Sequence, residues 1–256
     1  MDSALVFASL LLALAAMPAQ ADSGGMRRSG AQSTTAVVAA ATTRAIVFAG
    51  QTWTVKNSAG ALWGPGPNRF SDSADNVWVD AQGRLHLKIT QVGGVWTCAE
   101  VISQASLGYG TYRFTIDTPL DTLDANVVLG LFTWNDKPAY HHREIDIEFA
   151  RWGDPGNPFN AWHTVQPYTT AGNQRAWPLQ PGYGTTLHSF RWTSDSIDFA
   201  SSALGNTLQQ WSYTRRSGIP RPGGENARIN LWLFNGAAPR DAQPVEVIVS
   251  AFTFEK

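Results

Sequence analysis

The chain has 256 residues, 43% of them hydrophobic and 15% charged, with a formal net charge of −1. That is enough apolar material for one substantial core, and all-β domains of this size commonly stay undivided. Lysines and arginines are scattered, so the basic stripe that a nucleic acid or an acidic membrane surface requires is missing.

In chain order, the first feature is an apolar run from Ala4 to Met17, followed by Pro18 and the small-residue pattern Ala19-Gln20-Ala21. This is the form of an export signal with its cleavage site, and the run is short for a membrane span. Residues 1–21 therefore read as a signal peptide of a secreted protein, extracellular or periplasmic, with no membrane attachment after cleavage. Residues 22–45 are rich in Ser, Thr, Gly and Ala, lack an apolar period and read as a flexible linker.

From residue 46 the texture becomes short β-branched or aromatic runs punctuated by Gly, Pro, Asn and Asp. Strands are expected at 52–55, 76–79, 84–90, 95–103 and 109–116, then at 126–134, 144–150, 161–166, 187–192, 227–234 and 245–254. Asp80-Ala81-Gln82-Gly83 reads as a hairpin turn. No stretch keeps a helical period, and no repeat has a propeller or solenoid spacing. The expected fold is all-β: one two-sheet antiparallel β-sandwich over 46–256. Cys98 is the only cysteine. It lies within an expected strand and reads as a buried, inert thiol.

The most informative segment is Glu144-Ile145-Asp146-Ile147-Glu148-Phe149. Successive strand side chains point to opposite faces, so the three acids project together and the apolar residues project into the core. An ordinary solvated face mixes signs or uses Thr and Lys. Three crowded carboxyls instead push their pKa values apart, which lets one stay protonated beside an ionised neighbour. Glycoside cleavage needs such a pair, about 5–5.5 Å apart in a retaining enzyme. The Cα atoms of Glu144 and Glu148 are roughly 13 Å apart in an extended strand, a gap that two leaning glutamates on a curved strand largely close.

This segment resembles the active-site signature of glycoside hydrolase family 16, in the uninterrupted form of bacterial lichenases and plant xyloglucan endotransglycosylases. The resemblance implies a concanavalin-like jelly roll with a substrate cleft on its concave face. It implies Glu144 as nucleophile, Asp146 as its assistant and Glu148 as general acid/base. Cys98-Ala99-Glu100, Leu107-Gly108-Tyr109-Gly110-Thr111-Tyr112, Leu131-Phe132-Thr133-Trp134 and Asn230-Leu231-Trp232 are similar to further parts of that family, so the resemblance spans about 46–256. There are departures. Lichenases carry a second cysteine that pairs with the one at position 98, and an arginine where Ile102 stands. The loop Arg151-Trp152-Gly153-Asp154-Pro155 also differs. These leave the chemistry intact and the particular glucan open.

Outside the acidic set, Glu100 reads either as a strand-edge charge or as a hydroxyl-binding carboxylate of a sugar subsite. Phe132 and Trp134 share one strand face, as do Asn230 and Trp232; core packing competes with sugar stacking for each aromatic. Trp162, Thr164 and Gln166 also alternate, and Gln166 is a candidate ligand for a sugar hydroxyl. Glu100, Phe132, Trp134, Gln166, Asn230 and Trp232 are thus the expected substrate-binding residues. His141 and His142 read as loop residues, and no cluster has catalytic zinc spacing. No cofactor is required, although a structural calcium ion is compatible with the domain. The expected partner is a polysaccharide, with no nucleic acid or membrane, and the expected state is a monomer. The reading is a retaining endo-acting hydrolase of a β-linked polysaccharide such as a β-glucan. A transglycosylase using the same glycosyl intermediate and a non-catalytic, lectin-like binding module are the alternatives.

Overall fold

The computed structural model describes residues 43–256, and the expected signal peptide and nearly all of the linker lie outside the described residues. The strands are β1 (Ala45–Phe48), β2 (Gln51–Val55), β3 (Val77–Val79), β4 (Leu85–Val92), β5 (Val95–Thr97), β6 (Ala99–Ser103), β7 (Gly110–Ile116) and β8 (Val127–Trp134). They continue as β9 (Ile145–Phe149), β10 (Ala161–Val165), β11 (Gln174–Trp177), β12 (Thr186–Trp192), β13 (Ile197–Ala203), β14 (Asn206–Tyr213), β15 (Asn226–Leu233) and β16 (Val245–Glu255).

One sheet has the order β1-β2-β6-β15-β8-β9-β10-β11; the other has the order β14-β13-β12-β7-β16-β4-β3, with β5 added beside β4. All of these strand pairs are antiparallel, as a jelly-roll sandwich requires. Phe149, Ile147, Ile229 and Leu231 of the first sheet and Tyr112, Phe114, Phe190 and Phe252 of the second are buried in one core. Trp53 meets Phe252 across the sheets edge-to-face, with centroids 5.2 Å apart. Burying aromatic and branched side chains of this size contributes roughly 1.5–3 kcal/mol each, which is why the sheets stay together without a disulfide.

The alternating strands fix which side chains face out. β13 buries every second residue, whereas β8 and β15 are buried almost throughout. β8 and β15 are neighbours in the middle of the first sheet, so one face lies in the core and the other is covered by long side chains from adjacent strands. That covered outer face carries the acids of β9.

Some elements differ from expectation. The run expected as one strand over 95–103 breaks at Cys98 into β5 in the second sheet and β6 in the first. Cys98 pairs its backbone with Arg69 and Ser71, so the chain changes sheets there while its apolar pattern continues unbroken. The thiol is fully buried, 3.4 Å from Asn68 Oδ1, and burial pushes it up to about 12, in keeping with an inert cysteine. β1, β11, β13 and β14 were not anticipated. β1, β11 and β14 are sheet-edge strands, and β14 is mostly polar, so it carries little periodic apolar signal. β1 begins at Ala45, and Arg44 before it donates to the carbonyls of Asp72 and Ser73.

Two buried histidines cross the interior. His188 Nδ1 lies 2.9 Å from Ser201 Oγ and its Nε2 lies 2.8 Å from Thr186 Oγ1; His163 stacks on Phe199 at 4.8 Å. Burial holds both neutral, down to about 3 from the ordinary 6.5. In the unfolded chain they accept protons below pH 6.5, so their contribution is full above that pH and is lost as pH falls toward 3. The buried acids of β9 are shifted upward and act in the opposite direction, so a variant isolates the histidine effect. Between pH 7 and pH 5, wild type should lose about 2 kcal/mol more stability than His188→Gln, measured by urea unfolding. Equal losses would mean that His188 is not held neutral.

Candidate active site

The site grows from the register of the first sheet. Ile145, Ile147 and Phe149 are fully buried in the core, so Glu144, Asp146 and Glu148 lie on the outer face. On β8, Phe132 stands opposite Asp146 and Gly130 opposite Glu148; on β10, Thr164 stands opposite Asp146 and Trp162 opposite Glu148. One strand further, Arg228 and Asn230 of β15 pair with Phe132 and Gly130, and beyond them Ile102 and Glu100 of β6 pair with Arg228 and Asn230. All six expected substrate-binding residues therefore fall on the face that carries the acids.

Backbone geometry sets the start of this strand. Tyr140, His141, His142 and Arg143 all have positive φ, between 49° and 62°. Left-handed conformations cost about 1–2 kcal/mol per non-glycine residue. Three hydrogen bonds hold the turn: Asn135 N to His142 O at 2.7 Å, Thr133 Oγ1 to Arg143 O at 2.7 Å, and Ile145 N to Thr133 Oγ1 at 3.2 Å. The rings of His142 and Trp134 stack at 4.1 Å, nearly parallel, confirming His142 as a loop residue packed on an aromatic. Trp134 also donates its indole N–H to Asp136.

The three carboxyls sit in different surroundings. Burial raises Glu144 well above the usual carboxylate range; repulsion from Asp146 and Glu148 adds to this, and Arg228 opposes it. Burial likewise raises Asp146, to about 7, against hydrogen bonds with Gln166 and Glu144 that lower it. Gln166 Nε2 donates to Asp146 Oδ2 at 3.0 Å, while its Oε1 accepts from Tyr168 N at 2.8 Å and so fixes which end of the amide faces the acid. Burial raises Glu148, and repulsion from Asp146 raises it further. These shifts favour protonated carboxyls on the strand: hydrogen bonding between Glu144 and Asp146 raises the first and lowers the second, the pattern of Glu144 donating a proton that Asp146 accepts.

The other expected residues are distributed as follows. Glu100 is on the face but 1% exposed, bound to Lys56 at 2.7 Å and Arg228 at 3.3 Å, so it is a buried counter-ion in place of an open carboxylate. Phe132 is a buried floor residue. Asn230 is buried with Oδ1 lacking a partner, and it leans over Gly130, where a Cβ would approach that oxygen to 2.5 Å. Trp232 is 9% exposed and sits 6.3 Å from Trp152, whose ring also meets Phe234 and Trp162. Trp232 is thus nearly covered, and the half-buried Trp152 beside it is the more exposed aromatic surface. Among the described residues, no group of three or more His, Cys, Asp and Glu side chains is placed to hold a metal ion.

Sequence reading missed Arg228, Lys56, Gly130 and Trp152. Arg228 was legible only through the pairing of β15 with β6. It stands directly opposite Ile102, so a guanidinium reaches this row from the neighbouring strand.

No protein-family model matches the chain, and no curated protein sequence does. Solved structures share its fold. A Bacillus licheniformis β-glucanase aligns at 20% identity over 80% of this chain and 92% of its own, with a TM-score of 0.59. A laminarinase from Flavobacterium sp. UMI-01 aligns at 15% identity over 80% of this chain and 93% of its own, with a TM-score of 0.60. An immunostimulatory antigen of Mycobacterium tuberculosis, described as a pseudo β-1,3-glucanase, aligns at 24% identity over 77% of this chain and 88% of its own, with a TM-score of 0.57. The β-sandwich of this chain is therefore the architecture of these proteins.

Removing one member of a buried ion pair strands the other. Arg228→Met should cost about 3 kcal/mol in urea unfolding, the low end for a buried pair because Glu100 keeps Lys56. Adding Glu100→Gln to that variant should recover part of the loss. A double variant no more stable than Arg228→Met would show that Glu100 and Arg228 do not act as a pair.

Proposed function

We propose that this chain is a secreted glycoside hydrolase that cleaves a β-linked polysaccharide, most simply a β-glucan, with retention of configuration. The observation that carries this reading is the set of three carboxyls on one strand face, Asp146 buried between half-buried Glu144 and Glu148, with unequal electrostatic surroundings. A fold shared with both a β-glucanase and a pseudo β-1,3-glucanase does not decide activity. The complete acidic set favours catalysis over binding alone, since a binding surface gains nothing from crowding three acids. The export signal expected at residues 1–21 suits a polymeric substrate outside the cell.

In the proposed mechanism Glu148, protonated at rest, gives its proton to the glycosidic oxygen as that bond breaks. Glu144 attacks the anomeric carbon from the opposite face and forms a covalent glycosyl ester. Arg228 favours the ionised form of Glu144, and Asp146 takes over the shared proton as Glu144 becomes the nucleophile. Gln166 holds Asp146 in place for that exchange. Glu148, now ionised, removes a proton from water, which attacks the ester and releases the sugar with its original configuration. A sugar hydroxyl replacing that water would give the transglycosylase outcome. Asn230 Oδ1, buried and without a protein partner, is available to a sugar hydroxyl donor. Trp152 offers its ring to a pyranose face.

Glu144→Gln and Glu148→Gln should each lower turnover on a susceptible β-glucan by about a thousandfold or more while the fold persists. Azide should restore Glu144→Ala with an inverted glycosyl azide and Glu148→Ala with a retained one. Near-normal turnover in either glutamine variant would remove the assignment, and inverted initial products from wild type would show direct attack by water.

A further inference from the structure

A cavity of about 180 Å³ adjoins the acidic strand at its Glu144 end, with Tyr140, His141, Gln166, Thr170, Arg215 and Ser217 in its wall. Gln166 links it to the acids: its side chain binds Asp146 and its backbone N–H donates to Glu144 O at 3.2 Å. No carboxylate lines this cavity. The guanidinium of Arg215 makes no hydrogen bond or ion pair among the described residues, whereas that of its neighbour Arg216 is bound to Asp195 at 2.9 Å. A second cation lies behind one lining residue, since the Arg143 guanidinium is 5.3 Å from the Tyr140 ring centroid and is fixed by the carbonyls of Arg221 and Ala139. The floor is rigid: buried Tyr213 donates to Asn173 Oδ1 at 3.0 Å, and Asn173 Nδ2 donates to Pro167 O at 3.2 Å.

An unpaired guanidinium, hydroxyl groups of Thr170 and Ser217, and an imidazole around a cavity without acids form a donor-rich, positively charged pocket. Guanidinium groups recognise planar and tetrahedral oxyanions through paired N–H donors. We infer that this pocket binds an anionic substituent, a carboxylate or a sulfate ester, on a sugar next to the one held at Glu144. The inference rests on the proposed glycan-cleaving function for its substrate, and it makes the preferred glycan an acidic one. The volume suits one sugar-sized group carrying its charge.

The test measures binding by calorimetry, so that it does not depend on turnover. Full-length protein is titrated with glucose, glucuronate and glucose 6-sulfate at low ionic strength, then with the same three at 0.5 M NaCl. Wild type should bind at least one charged sugar about tenfold more tightly than glucose, the preference should collapse in high salt, and Arg215→Gln should abolish it. Preference for glucuronate alone identifies a carboxylate pocket, and preference for the sulfate ester alone identifies a sulfate pocket. Equal affinity for charged and neutral sugars, or a preference that survives Arg215→Gln, overturns the inference. Thermal unfolding of Arg215→Gln close to that of wild type ties any change to the pocket, because Arg215 is exposed and bonds to no side chain. Hydrolysis of neutral glucan without a charge preference would sink this inference alone, whereas charge-selective binding without any glycan cleavage would sink the proposed function alone.

Discussion

Three carboxyls crowd one face of a five-residue strand and its leading residue, Asp146 buried between half-buried Glu144 and Glu148, and the surrounding architecture responds to their mutual repulsion. Burial raises the proton affinity of all three and like charge adds to this for Glu144 and Glu148, which disfavours three negative charges on one strand. The neighbouring strands answer this unevenly. β15 brings Arg228 toward Glu144, the residues after β10 bring Gln166 to Asp146, and the row beside Glu148 supplies only Gly130 and Trp162. Arg228 is itself buried and needs Glu100, which is held in turn by Lys56. Lys56, Glu100, Arg228 and Glu144 thus form a row of alternating charges across the sheet, and its inequality separates three otherwise similar acids into different environments.

The same face has two unlike ends. Toward Glu148 lie Trp162, Trp152, Trp232 and Phe234, in ring contact at 5.7–6.3 Å, so the surface there is aromatic. Toward Glu144 lie the left-handed turn of residues 140–143 and the pocket with Arg215, so the surface there is polar and positive. An extended ligand lying across the strands meets a stacking surface on one side of the acids and hydrogen-bond donors on the other. The turn at 140–143 is costly in backbone terms, and the bonds from Asn135 and Thr133 that hold it also fix the position from which Glu144 projects.

How much of this was legible depended on whether the signal was local. The period of two in Glu144-Ile145-Asp146-Ile147-Glu148-Phe149 specified both the core face and the acidic face, because strand geometry leaves no other arrangement. The same rule put Phe132 with Trp134 and Asn230 with Trp232 on shared faces, and the pairing of strands places those faces with the acids. It could not show that Glu100 is buried between two cations or that Trp232 is nearly covered beside Trp152, since both depend on pairing between distant strands and on a loop. Arg228 reads in isolation as one basic residue in an apolar strand; only the pairing of β15 with β6 reveals that it stands opposite Ile102. The sheet change at Cys98 was hidden for a related reason. An unbroken apolar run looks the same whether it stays in one sheet or feeds two.

The central claim is that the acidic strand keeps protons at a pH where ordinary carboxylates have lost them. Carbon-13 NMR of the side-chain carboxyls, assigned through single glutamine or asparagine variants and followed from pH 3 to pH 9, measures this directly. Glu148 should remain largely protonated at pH 6, and the Glu144–Asp146 pair should still hold one proton there. Three independent titrations with midpoints near 4, leaving all three acids ionised at pH 6, would contradict the account at its foundation.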